Sequence, residues 1–77
     1  MPHLAAQNDV TGLAAVAGNR GFSEETRLGA VEGLAAAASE AAEAELRRVG
    51  QSAEDPEELR KAAWRGLRRS RRARQQR

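Results

Sequence analysis

Residues 23–34 recur one unit later at residues 56–67, and no other feature limits the architecture of this chain as tightly. At an offset of 33, Glu24 falls on Glu57, Glu25 on Glu58, Arg27 on Arg60, Ala30 on Ala63, Gly33 on Gly66 and Leu34 on Leu67, six identities in twelve positions. The same offset carries Leu13 onto Leu46 and Val16 onto Val49. A fixed period of this size marks a repeated supersecondary unit that buries its apolar side by stacking on a neighbour. Two copies, about 5–38 and 39–71, take up most of the 77 residues.

Each copy reads as a pair of helices. Leu4, Val10, Leu13 and Val16 mark the first, which ends near Gly18, where Gly18, Asn19 and Gly21 are expected to supply left-handed backbone. Ser23 caps a second helix that carries Glu24 and Glu25 in its first turn, presents Leu28, Val31 and Leu34, and runs to Ala38. Ser39 caps a third from Glu40 to Val49, closed by Gly50. Asp55 followed by Pro56 is an N-cap with proline at the first helical position, so a fourth helix runs from Pro56 to Ser70 or beyond. The fold expected is all-α: two antiparallel helical hairpins stacked as a short α-solenoid, one domain over 1–71 with a basic tail at 72–77.

Composition sharpens this. With 17 alanines, one Phe, one Trp and no Tyr, the core has little side-chain area to bury, so backbones must pack closely or a partner must help. Gly33 and Gly66 hold equivalent helical positions although each costs about 1 kcal/mol relative to Ala. Gly29 with Gly33, and Ala62 with Gly66, lie four apart on one face, and close approach of the second and fourth helices is expected there.

The segment Leu59-Arg60-x-x-Ala63-x-x-x-Leu67, following Asp55-Pro56-Glu57-Glu58, resembles the second helix of a HEAT repeat of the short bacterial kind. Thr26-Arg27-x-x-Ala30-x-x-x-Leu34 follows the same pattern, with Thr26 where an apolar residue is usual. The resemblance covers about two thirds of the chain, and reaches the first helix only through the offset. It implies a two-layer stack that holds another macromolecule, and a structural arginine at Arg27 and Arg60 bonded to an acid or carbonyl of the adjoining repeat.

Charge divides the chain. All eleven acids lie before residue 59, with only Arg20, Arg27, Arg47 and Arg48 among them, whereas residues 59–77 carry nine basic residues and no acid. Arg68, Arg69, Arg71, Arg72 and Arg74 follow one another so closely that on a continuous helix they surround it, leaving no apolar face after Leu67. Such a cluster neutralises phosphates, and with Arg65 it forms the candidate nucleic-acid contact. Trp64 and Leu67 are the candidate contacts for a protein partner. Glu43 is placed to pair with Arg47 four residues on.

Absent residues exclude chemistry. There is no Cys for a thiolate or a disulfide, and the single His3 stands beside the first residue, so no metal, cofactor or catalytic residue is expected. The longest uncharged stretch falls far short of a membrane span and no signal sequence is legible, which gives a soluble, cytoplasmic expectation. The leading reading is a non-enzymatic interaction or assembly module whose stack ends are covered by another protein or a second copy. The alternatives are a nucleic-acid-associated protein, and a piece of a longer solenoid. No small-molecule substrate is expected.

Overall fold

The computed structural model describes residues 2–75, with side chains from Val10 onward. Four helices form two stacked hairpins: α1 (Pro2–Ala17), α2 (Glu24–Ala37), α3 (Glu40–Gln51) and α4 (Glu57–Gln75). α1 packs on α2 and α3 on α4, and the hairpins join chiefly through α2 against α4. The described residues contain no strand.

Local chemistry accounts for the boundaries. The Ser23 hydroxyl accepts the Thr26 amide at 3.2 Å and the Ser39 hydroxyl accepts the Ala42 amide at 3.1 Å, each satisfying one of the orphan donors of a helix start. α1 ends as expected near Gly18, but without left-handed glycine: Gly18 donates to the Ala14 carbonyl, and the Gly21 amide is held at 2.7 Å by the Asn19 side chain. The left-handed residue is Ala38, at φ 49°, where α2 turns sharply into α3. Gly50 does not close α3 either. The helix continues to Gln51, and Gly50 is buried beneath the Trp64 indole, where an added Cβ would come within 2.6 Å of Trp64 Cε2.

The core is aliphatic and small. Leu34, Leu46, Leu59 and Val31 are its largest fully buried apolar side chains, joined by Ala17, Ala30, Ala35, Ala42, Ala63, Val49 and Leu67. Close approach of α2 and α4 does occur, but at Gly66, whose added Cβ would lie 3.1 Å from Ala35 Cβ. Gly33 faces the other way: its Cβ would meet the Leu13 side chain of α1 at 2.9 Å, while Gly29 faces open space. The sequence expectation for Gly29 and Gly33 is thus corrected, because the side of α2 that carries them is turned from α4. It follows that Gly29→Ala stabilises by about 1 kcal/mol through helix propensity alone. Ala38→Gly gains a similar amount by relieving the left-handed alanine. Each raises the thermal midpoint by about 4–8 °C in a circular dichroism melt; no change in either variant would refute this account of the backbone.

One buried ion pair locks the hairpins together. Arg27, only 4% exposed, donates from Nε to the Ala17 carbonyl and from an η nitrogen to Asp55 Oδ1, both at 2.9 Å. Asp55 is therefore not the N-cap of α4. Its carboxylate turns inward to α2, and the Pro56 carbonyl receives the first helical bond, from Arg60. Arg60 donates from Nε to the Asp55 carbonyl at 3.1 Å, within its own hairpin.

Candidate functional site

α4 continues as one helix through Gln75, so the boundary expected at residue 72 falls inside it. The arginines from 68 to 74 go round α4 as expected and no apolar side chain is buried after Leu67, but packing still gives the helix an inner side down to Ser70. Leu59, Ala63, Gly66, Leu67 and Ser70 are buried and keep one side of α4 inward for three turns. With 100° per residue, Lys61, Arg65, Arg68 and Arg72 fall together on the opposite side, a row about 16 Å long at 1.5 Å rise per residue. All four are exposed. Lys61 lies 3.4 Å from Glu57, whereas Arg65, Arg68 and Arg72 have no ion pair among the described residues.

Arg69 and Arg71 flank this row. Arg69 and Arg65 border a groove of about 330 Å³ between α2 and α4, whose floor includes Val31, Ala35 and Gly66. Arg71 borders one of about 430 Å³ between α3 and α4, with Arg47 on the opposite wall. Arg74 differs from the others: it pairs with Glu43 Oε1 at 2.7 Å, and so belongs to the scaffold. The second oxygen of Glu43 accepts the Ser70 hydroxyl at 2.8 Å, and Ser70 is fully buried. This arrangement fastens the last turns of α4 to α3.

Electrostatics follow from that geometry. Burial pushes the Glu43 carboxyl up, but hydrogen bonds from Arg74 and Ser70, with the fields of Arg74 and Arg71, outweigh it and hold the group below its ordinary range. Asp55 behaves alike: burial raises it, and bonds from Arg27 and Ser52 with the charges of Arg27 and Arg20 bring it down. A carboxylate whose folded pKa is depressed contributes stability above its unfolded pKa and loses it as pH falls toward the folded value. The thermal midpoint is therefore expected to drop as pH is lowered from about 5 toward 3. Glu43→Gln lowers the neutral-pH midpoint and flattens the acid limb; an unchanged acid limb would show that Glu43 is not one of the groups responsible.

Trp64 and Leu67, the two residues expected to meet a protein partner, sit differently. Leu67 is 3% exposed and part of the core, which removes it from any contact surface of the folded chain. Trp64 is 38% exposed, with its Nε1 donating to the Gly50 carbonyl at 3.1 Å and its ring against the Gly50 backbone. Phe22, in the α1–α2 loop, is the other large apolar side chain in solvent among the described residues.

Sequence reasoning missed Arg47. Four residues after Glu43, it reads as that residue's partner, but Glu43 faces α4 while Arg47 is exposed and makes no ion pair among the described residues. Arg48 takes Glu45 instead. The signal was present in the heptad-like spacing of buried Ala42, Leu46 and Val49, which turns Arg47 outward. The resulting surface is a set of exposed guanidinium groups carried on a helical platform, suited to multiple charge-assisted contacts with phosphates or carboxylates. Among the described residues no three acidic, His or Cys side chains are grouped to hold a metal, and no helix is long and apolar enough to cross a membrane. No protein-family model, curated protein or solved structure matches the chain.

Proposed function

We propose that this chain is a non-enzymatic binding module, two HEAT-like hairpins that hold a nucleic-acid backbone against the outer side of α4. The observation that carries the reading is the row Arg65, Arg68 and Arg72 on one exposed helix face with no ion pair among the described residues. A guanidinium already paired with a carboxylate offers little to a phosphate, and Arg74 is in that state. The row is not. Arg47 and Arg71 extend the cationic surface toward α3. Backbone contact without base readout suits a surface whose one nearby aromatic, Trp64, is tied to Gly50 and so is not free to stack on bases. A cytoplasmic location goes with this reading.

A protein partner is the second reading, supported by the partial exposure of Trp64 and Phe22. The two differ in their response to salt. Fluorescence anisotropy of a labelled mixed-sequence duplex, titrated at low and moderate salt, tests them: phosphate binding weakens steeply as salt rises. No binding at low salt would end the nucleic-acid reading and leave the apolar patches as the surface to pursue.

A further inference from the structure

The internal repeat lets the two hairpins be compared position by position, and on the side where a further helix would stack they differ in kind. On α2, the face that receives α4 presents Val31 at 1% exposure, Ala35 at 4% and the stem of Arg27 at 4%, with Leu28 packed at the margin of the core. One unit on, at the same offset, stand Trp64, Arg68, Arg60 and Lys61. Trp64 is 38% exposed, Arg68 and Lys61 are exposed, and Arg60 is half-buried. Where α2 offers leucine, valine and alanine to the next helix, α4 offers lysine, tryptophan and arginine.

The hydrogen bonds change in step. In the first hairpin the Ala17 carbonyl is taken by Arg27, which also reaches forward to Asp55 in the second hairpin. The carbonyl equivalent to Ala17 is that of Gly50, and Trp64 Nε1 holds it. Arg60, the equivalent of Arg27, turns back to the Asp55 carbonyl of its own hairpin. The forward-reaching contact has been replaced by one that closes on itself. Seating another helix here in the manner of α4 on α2 would strip water from Lys61 and Arg68 without supplying partners, at a cost that buried apolar area does not offset. Terminal units of stacked repeats carry a polar outer face for this reason.

We infer that the outer face of α3 and α4 is a closed end of the stack: it refuses a second copy of the chain or a further hairpin, and Trp64 is its plug. This goes beyond the binding reading and stands or falls independently of it, since no nucleic acid enters the test. Sedimentation velocity on the full chain is expected to give the mass of one chain, 8.3 kDa, at every concentration. The variant Lys61→Leu/Trp64→Val/Arg68→Ala, which restores the α2 pattern, is expected to associate with rising concentration, at least doubling the mass while keeping its helical circular dichroism. A folded variant that stays monomeric would overturn the inference. The native chain supplies a second readout that needs no variant. Trp64 is the only tryptophan, so acrylamide quenching of its emission reports directly on cover over this face. Equal quenching in dilute and concentrated protein is expected; protection at high concentration would overturn the inference even if the variant fails to fold.

Discussion

Arg27→Ala is expected to abolish the cooperative thermal transition, or to lower its midpoint by about 12 °C or more. Arg27 and Asp55 have side chains only 5% and 7% exposed, and the guanidinium bridges three places at once: the end of α1, its own helix, and the turn before α4. Removing the arginine leaves the Ala17 carbonyl buried without its donor and the Asp55 carboxylate without its buried countercharge, with Ser52 and the solvent-side Arg20 as its remaining partners. Breaking a buried pair from one side costs about 3–5 kcal/mol, mostly the penalty of the stranded charge. A domain of this size has only about 4–11 kcal/mol of total stability, and here the core is built largely of alanine, leucine and valine. The loss thus consumes most of what holds the hairpins together. Asp55→Ala strands the other partner and is expected to fall in the same range, while the double variant loses less than the sum of the two. Arg20→Ala is the control, because Arg20 reaches Glu54 and, at 3.7 Å, Asp55 from solvent. It should barely move the melt. A midpoint for Arg27→Ala within a degree or two of the native chain would mean that the stack is held by apolar contact alone.

That pair also marks where sequence reading stopped. The caps at Ser23 and Ser39 were legible because a cap is decided within four residues, and the chain carries the whole signal locally. The helical pairs and their stacking were legible from the offset, since equivalent residues must meet equivalent surroundings. Asp55 was not. An Asp before Pro, Glu and Glu has every local mark of an N-cap, and what redirects its carboxylate is Arg27, 28 residues earlier in sequence and brought near only by the packing of α2 on the second hairpin. Glu43 failed for the same reason: Arg47 is its neighbour along the helix, but Ser70 and Arg74 are its neighbours in the fold. The glycines show a third kind of miss. Spacing correctly places Gly29 and Gly33 on one face, yet only the rotation of α2 decides that this face looks toward α1 and solvent rather than α4. Of the candidate site, spacing alone gives the row on α4, once it is known that Ser70 is buried and that the helix keeps an inner side to that depth. Counting arginines correctly gives a helix charged all round after Leu67, but only the packing shows that Arg74 is the one turned inward onto Glu43.

Reversing the charge of the row, Arg65→Glu/Arg68→Glu/Arg72→Glu, is expected to reduce duplex binding below detection at low salt while leaving the helical spectrum and the melt close to native. The three residues are exposed and make no ion pair among the described residues, so their replacement removes no contact on which the fold depends. Their effect on a polyanion is of a different order. Each phosphate neutralised contributes about 0.9 to the slope of log affinity against log salt on duplex DNA. If the row acts with Arg47 and Arg71, about five phosphates are engaged, and affinity of the native chain should fall roughly 500-fold between about 50 and 200 mM salt. Arg47→Ala alone should reduce that slope by about one and weaken binding evenly across sequences, because it reads no base. Arg74→Gln provides the contrast that separates scaffold from site. It breaks the pair with Glu43 and so acts on the melt, and it is not one of the cations in the row. Two results would sink the assignment. One is a charge-reversed variant that binds with native affinity and native salt slope, which would place the anion contact elsewhere. The other is native binding that ignores salt, since a row of guanidinium groups in water has no means of holding phosphate that salt does not weaken.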